Sequence, residues 1–311
     1  MGSAAPNLHG RGAHVSVSSR TSTTRRDSLA EPASGAGSLP IASVTAASRP
    51  GRNWGRHGWL RLISPIVVLA LWQILSSTGV ISQQKLPSLT TLWSTAVNLI
   101  TTNSPTYGTL QHAMLISLER VAFGFVIGGG LAVILATVAG LSRFGENAID
   151  PIMQALRTLP LFGLIPVFIV WFGIGESPKI TLVALAAAVP LYLNTFAGIR
   201  GVDGKFAELG QVLGLKRGEM IRNIILPGAL PTILIGLRQS LGTAWLALVV
   251  AEQINANAGL GYIINQGEQF LQQNVIFVAL IVYLILGLLT DYLVRLIERR
   301  ALSWRRGILE A

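Results

Sequence analysis

Cysteine is absent from the 311 residues, so neither a disulfide framework nor thiol chemistry is open to this chain. Histidine is scarce. Three of the four, His9, His14 and His57, lie in or beside the N-terminal segment and His112 stands alone, so no metal centre can be assembled from them. Charge is sparse too: Asp, Glu, Lys and Arg make up 12% of the chain, against about a quarter in an ordinary soluble domain. Nor is there a Gly-x-x-x-x-Gly-Lys-Ser/Thr loop. Gly204-Lys205 is followed by Phe206, and nothing else in the sequence can cradle ATP phosphates.

What is abundant is apolar sequence, 51% of residues, with a mean hydropathy of +0.56. Six long blocks almost free of charge occur at roughly 62–81, 121–141, 152–174, 180–199, 229–250 and 276–294. Each approaches the ~20 residues needed to cross a bilayer, which predicts an all-α integral membrane protein with six transmembrane helices. Basic residues in short loops set the orientation. With the N-terminus inside, the inner side holds Arg143, Arg200, Lys205, Lys216, Arg217, Arg222 and the run from Arg295 to Arg306. The outer side holds Lys85 and Lys179, with Arg120 near an outer helix end. A multi-pass protein of the cell membrane with both termini cytoplasmic is expected. The net charge of +10 is scattered over that inner face, which suits anionic lipid headgroups rather than nucleic acid.

Residues 1–55 are rich in Ser, Thr, Ala, Gly, Pro and Arg and are expected to be a disordered cytoplasmic tail. Thr24-Arg25-Arg26 is not an export signal, because no apolar core follows it. A transmembrane domain then covers 56–306 and a short cytoplasmic end 307–311. Between the first two blocks, Leu89, Leu92, Trp93, Val97 and Ile100 share a helical face. They predict an amphipathic helix that either lies on the outer membrane surface or packs on the outer loops. A second outer segment spans 253–274. Gly124 and Gly128 allow close helix approach, within the chain or between subunits, while Pro160, Pro166 and Pro190 are expected to bend their helices.

The stretch from Glu208 to Pro227 is polar and charged between apolar blocks. Its Glu208, Gly214, Ile224, Leu226 and Pro227 fall on the spacing of a signature loop: Glu-Ala-Ala, three residues, Gly, nine residues, Ile-x-Leu-Pro. The stretch resembles that cytoplasmic loop of ABC importer permeases, with Leu209 and Gly210 where the pattern has alanines. The physical reading is that Glu208 opens a short helix, where an acid is favoured, and Gly214 permits a sharp turn. Leu215, Met220 and Ile221 offer apolar contacts, and Pro227 starts the fifth membrane helix.

The resemblance extends over residues 60–306. Arg157-Thr-Leu-Pro160, Leu164-Ile-Pro166, Trp171-Phe-Gly-Ile-Gly175 and Asn194 to Arg200 are similar to permeases for nitrate, taurine, aliphatic sulfonates or bicarbonate. Val250 to Ala256 and Gly259 to Asn265 are most similar to the aliphatic sulfonate branch. The resemblance implies a type I ABC importer permease fold and a homodimer with a path between its two copies. It also implies two ABC ATPase subunits that dock on the loop and bind ATP and Mg, and an extracytoplasmic solute-binding protein. This chain would then hold no cofactor and catalyse nothing itself. An integral-membrane enzyme would need a catalytic cluster that is not visible, and an ion-coupled carrier would leave the loop without a role.

Charged and polar residues inside apolar blocks are candidates for the substrate path, since lipid disfavours them. Arg238 lies near mid-bilayer in the fifth block, with Gln239 beside it and Trp245 two turns on. Arg120 stands near the outer end of the second block and Glu252 ends the fifth. Arg238 could meet an anion or pair with an acid that holds helices together. Gln239 and Trp245 could equally line a path or pack.

Overall fold

The computed structural model describes residues 60–302. The expected tail 1–55, its arginine pair and the end 307–311 lie outside these residues. The described part is helical: α1 (Leu60–Ser77), α2 (Leu89–Thr101), α3 (Leu110–Leu141), α4 (Arg143–Thr158), α5 (Ile165–Phe172), α6 (Glu176–Arg200), α7 (Gly204–Val212), α8 (Arg217–Met220), α9 (Leu226–Asn255), α10 (Leu260–Gln269) and α11 (Gln273–Ala301). All six apolar blocks become helices, but not six straight crossings. Among the described residues, four helices are long and apolar enough to span a membrane: α3, α6, α11 and a continuous Arg217–Ile254 that takes in α8 and α9. The first block, α1, has 18 residues and is not among the four.

The block at 152–174 is a bent helix pair, of the kind that makes a broken span or a re-entrant loop. Residues Arg143–Thr158 and Leu161–Phe172 meet at 95°. Pro160 causes the break: its ring disfavours helical geometry at the residue before it, and Leu159 is extended at φ −72°, ψ 137°. Of the other two prolines expected to bend helices, Pro166 sits at the first turn of α5, where proline is tolerated, so it starts a helix. Pro190 lies inside α6 and deprives the Ala186 carbonyl of its usual donor four residues on. Thr243 of α9 supplies a replacement, its hydroxyl donating to Ala186 O at 2.8 Å, and Ser240 Oγ donates to Ala187 O at 2.6 Å. The carbonyls around Pro190 thus become a seam between α6 and α9, and α6 runs on through the proline as one helix.

Small residues bring α3, α6 and α9 together. A Cβ on Gly128 would come within 2.0 Å of Ala184 O, and one on Gly124 within 2.6 Å of Val183 Cγ1. The Gly124/Gly128 pair therefore packs within the chain, against α6. A Cβ on Gly236 of α9 would meet Asn194 Cβ at 2.5 Å. The expected amphipathic α2 forms but divides its apolar residues. Leu92 and Leu99 are buried against the core while Trp93, Val97 and Ile100 stay exposed. Its start is held to the end of α1 by Trp72 Nε1 on Pro87 O and Leu89 N on Gln73 Oε1, at 2.9 and 3.0 Å.

Candidate functional site

Three regions collect the residues singled out in the sequence. The first is the elbow from Asp203 to Pro227. Asp203 caps α7 by accepting from Lys205 N at 3.0 Å, so the helix begins before Glu208, which stands exposed in its second turn rather than opening it. The turn after α7 is closed by Leu215 N on Gly210 O and Gly214 N on Gln211 O, each at 3.0 Å. This is the double bond pattern that ends a helix through a left-handed residue, and Gly214 has φ +72°. Nothing lies within 4 Å of a Cβ placed there, so the backbone conformation, not space, requires glycine.

Gly210 has the opposite reason. A Cβ at that position would meet Ile224 Cδ1 at 2.9 Å, Met220 Cε at 3.4 Å and Leu215 Cδ1 at 3.6 Å. Those side chains fold back beneath α7. The expectation that Leu215 and Met220 supply outward contacts is therefore corrected: they build the elbow from inside, and Ile221 is half-buried with them. What α7 exposes instead is Phe206, Leu209, Val212 and Leu213, an unpartnered apolar face with Val212 85% accessible. Spacing of three and four would have shown this face in the sequence.

Pro227 lies two residues into α9, but helix geometry runs on through it from Arg217. Ile221–Ile225 widens into a π turn, with Leu226 N donating to Ile221 O. A wide turn just before a residue that lacks a donor accommodates the missing bond. Leu226 is exposed at this junction.

The second region is an open groove of about 680 Å³ between α9 and α11, lined among others by Arg238, Gln239, Trp245, Asp291 and Glu298. Arg238 Nε lies 2.6 Å from Asp291 Oδ1, and Arg295 Nε reaches Asp291 Oδ2 at 2.8 Å. Of the two readings left open for Arg238, the ion pair with an acid is the geometry observed. Trp245 is buried and donates from Nε1 to Thr290 Oγ1 at 3.0 Å, so it links α9 to α11. Gln239 is exposed and accepts from Asn194 Nδ2 at 2.9 Å.

The third region is a buried charge network where α3, α6, α9, α10 and α11 meet. Glu252 has no exposed surface. Its carboxylate accepts from Arg120 Nη1 at 2.6 Å, Gly261 N at 2.8 Å, Tyr283 Oη at 2.8 Å and Ser117 Oγ at 2.8 Å. Arg120, 5% exposed, also forks onto Glu176 through Nε and Nη2 at 2.5 and 2.8 Å, and Nη1 reaches Ala258 O. Lys179 Nζ joins Glu176 at 3.0 Å. Arg120 and Glu252 were singled out separately; the fold turns them on each other. Gly259 lies against this network at φ +118°, and a Cβ there would be 2.5 Å from Glu252 Oε1 and 2.6 Å from Arg120 Nη1. Ser117, Tyr283 and Glu176 were not singled out in the sequence, because their partners are 31 to 135 residues away.

A family model, binding-protein-dependent transport system inner membrane component, matches residues 128–303. A protein of Bacillus subtilis (strain 168) named for aliphatic sulfonates transport, the permease protein SsuC, is 45% identical over 277 residues, which cover 88% of this chain and 98% of that protein. Its namesake in Escherichia coli (strain K12) is 42% identical over 254 residues, covering 79% and 93%. In the crystal structure of an amino acid ABC transporter with histidines, one chain shares the fold. Its TM-score is 0.51 at 20% identity, covering 60% of this chain and 92% of that one.

Proposed function

The chain belongs to the binding-protein-dependent transport system inner membrane component family, and on that premise we propose that it is the membrane permease subunit of an ATP-driven importer for aliphatic sulfonates. The observation that carries the mechanism is the elbow. Its α7 presents Phe206, Leu209, Val212 and Leu213 to solvent, beside Lys205, Lys216 and Arg217. An isolated helix with such a face gains little unless a partner covers it. Two ATPase subunits that bind ATP and Mg would supply the covering groove, one on each of two permease copies. Because α8, the π turn and α9 form one continuous helix, displacement of α7 at the cytoplasmic end is passed as a rigid tilt into the membrane. An extracytoplasmic binding protein would deliver the substrate to the opposite end.

The family membership of the chain and the lengthwise match to proteins named for sulfonates support the substrate class. Taurine, nitrate and bicarbonate are the competing cargoes. The test is co-expression with an ABC ATPase and an extracytoplasmic binding protein from the same organism, followed by reconstitution in vesicles. Ethanesulfonate uptake that depends on ATP, and ATPase lost from the purified complex when Phe206 and Leu209 are both changed to Ser, are expected. Uptake of nitrate alone would move the substrate assignment. An ATPase that stays bound to the double variant would remove α7 as the docking element.

A further inference from the structure

Among the described residues, Arg238 and Arg157 both stand level with the middle of α6, and they differ in one respect. Arg238 is flanked on α9 by Gly236, which packs on Asn194, and by Ser240, which bonds Ala187; its charge is met by Asp291. Arg157, in the last turn of α4, shares a pocket with Val189, Pro190, Leu193, Asn194 and Gln239. Val189 and Pro190 lie about 20 Å along α6 from Glu176 and about 16 Å from Arg200, at 1.5 Å per residue. Among the described residues no carboxylate pairs with Arg157, and its side chain is exposed.

A basic residue in the last turn suits the helix dipole. That benefit is small beside the cost of an unmatched guanidinium at mid-membrane depth, so the residue needs another account. The whole of α4 supports one. Arg143, Asn147, Asp150, Gln154 and Arg157 are spaced four, three, four and three apart and give this half-span a single polar stripe, which water or protein must face. Towards the inner end Glu146 pairs with Arg200, and Asp150 accepts from the neutral Tyr192 hydroxyl at 3.4 Å. Of the two arginines on the stripe, Arg143 stands exposed at the inner end of α4, while Arg157, beside the break at Pro160, stands level with the middle of α6 without an acid.

We propose that Arg157 and Gln239 form a mid-depth site for the transported oxyanion, with Arg157 its charge, the Gln239 amide its hydrogen-bond donor and Asn194 the residue that holds that amide in place. The site deepens the importer reading and rests on it. Asn194 Nδ2 donates to Pro190 O at 2.8 Å and to Gln239 Oε1 at 2.9 Å, which orients Gln239 and leaves both hydrogens of its Nε2 free to donate. The pocket holds about 330 Å³, where a water in the liquid occupies about 30 Å³. A sulfonate head group with part of its hydration fits. The guanidinium fork presents two parallel donors to such a group, and a discontinuous span is where irregular backbone lines a path at the midplane.

Two measurements test this. In the reconstituted complex, Arg157→Gln should raise the KM for ethanesulfonate on the order of ten- to a hundredfold, the loss of a charged hydrogen bond, and Arg157→Lys should raise it less. The melting temperature of the Arg157→Gln complex should be unchanged, since no protein partner is lost. Independently of transport, Asn194→Cys in this cysteine-free chain should react faster with sulfonatoethyl methanethiosulfonate than with its trimethylammonium counterpart. That preference should vanish when Arg157→Gln is added. An unchanged KM, a fall in melting temperature, or a charge preference that survives Arg157→Gln would overturn the site. If the parent complex takes up no ethanesulfonate, the substrate assignment fails, while the labelling preference still decides whether this pocket attracts anions.

Discussion

Glu252 sits where a carboxylate could not survive alone. It is fully buried, and desolvation of an ion in such a place costs several kcal/mol unless partners compensate. Here every acceptor position is used by Arg120, Ser117, Tyr283 and the amide of Gly261. Glu252→Gln keeps the shape but leaves Arg120 facing an amide, with one donor set against Gly261 N. A loss of about 3–5 kcal/mol is expected, the cost of breaking a buried pair from one side, read as a lowered melting temperature of the purified complex. Gly259→Ala should fall in the same direction through the backbone at φ +118° and the clash with both charges. A Glu252→Gln complex as stable as the parent would show that water reaches this network. These residues were visible in the sequence only as isolated charges, since pairing over more than 130 positions (Arg120 with Glu252) leaves no local pattern.

At the scale of elements, the elbow and the broken span show opposite degrees of legibility. The elbow could be read because a turn with φ > 0 selects glycine, and Gly214 occupies that position. Gly214→Val should cost about 1–2 kcal/mol of left-handed backbone strain, tilt α7, and uncouple ATP hydrolysis from substrate. Gly214→Asn tolerates the conformation and should stay near normal. The measurement is substrate-stimulated ATPase activity of the two variants side by side; equal impairment would mean that the side chain, not the turn, is what matters. At the broken span a bend is expected from Pro160, but a block taken as one transmembrane helix gives no sign of its size. The 95° bend follows from one proline and the extended residue before it, a local event that averages out in a long window. Its polar half, α4, begins at Arg143, before that window.

For the whole molecule, the expected orientation puts α7 and the acidic–basic end of α11 on the cytoplasmic side, with α2 and α10 outside. Single cysteines can be added without interference from native thiols. Lys85→Cys should label from outside with an impermeant maleimide in intact cells, and Lys216→Cys should label only after the membrane is opened. Labelling of Lys216→Cys in intact cells would reverse the topology and separate α7 from any ATPase. The same molecule has one central packing unit, α3 on α6 on α9, drawn close by Gly124, Gly128 and Gly236. Around it, α1 and the outer face of α11 remain largely exposed, as lipid or a second permease copy would allow.

The sequence by itself determined the membrane class, the helical blocks, the elbow and the family, because these rest on local signals: apolar length, basic asymmetry, and a spacing of glycine and proline along the chain. Tertiary structure alone decided which charges are neutralised. Arg120, Arg238 and Arg157 look alike in the sequence, each a cation in or beside a long apolar block. Folding sets the first between Glu176 and Glu252 and the second against Asp291, and leaves the third in a polar pocket without an acid. The reason is physical. Ion pairing requires approach within a few ångströms, and for these residues that approach is made by helices whose partners lie about 50 to 130 positions apart in the chain.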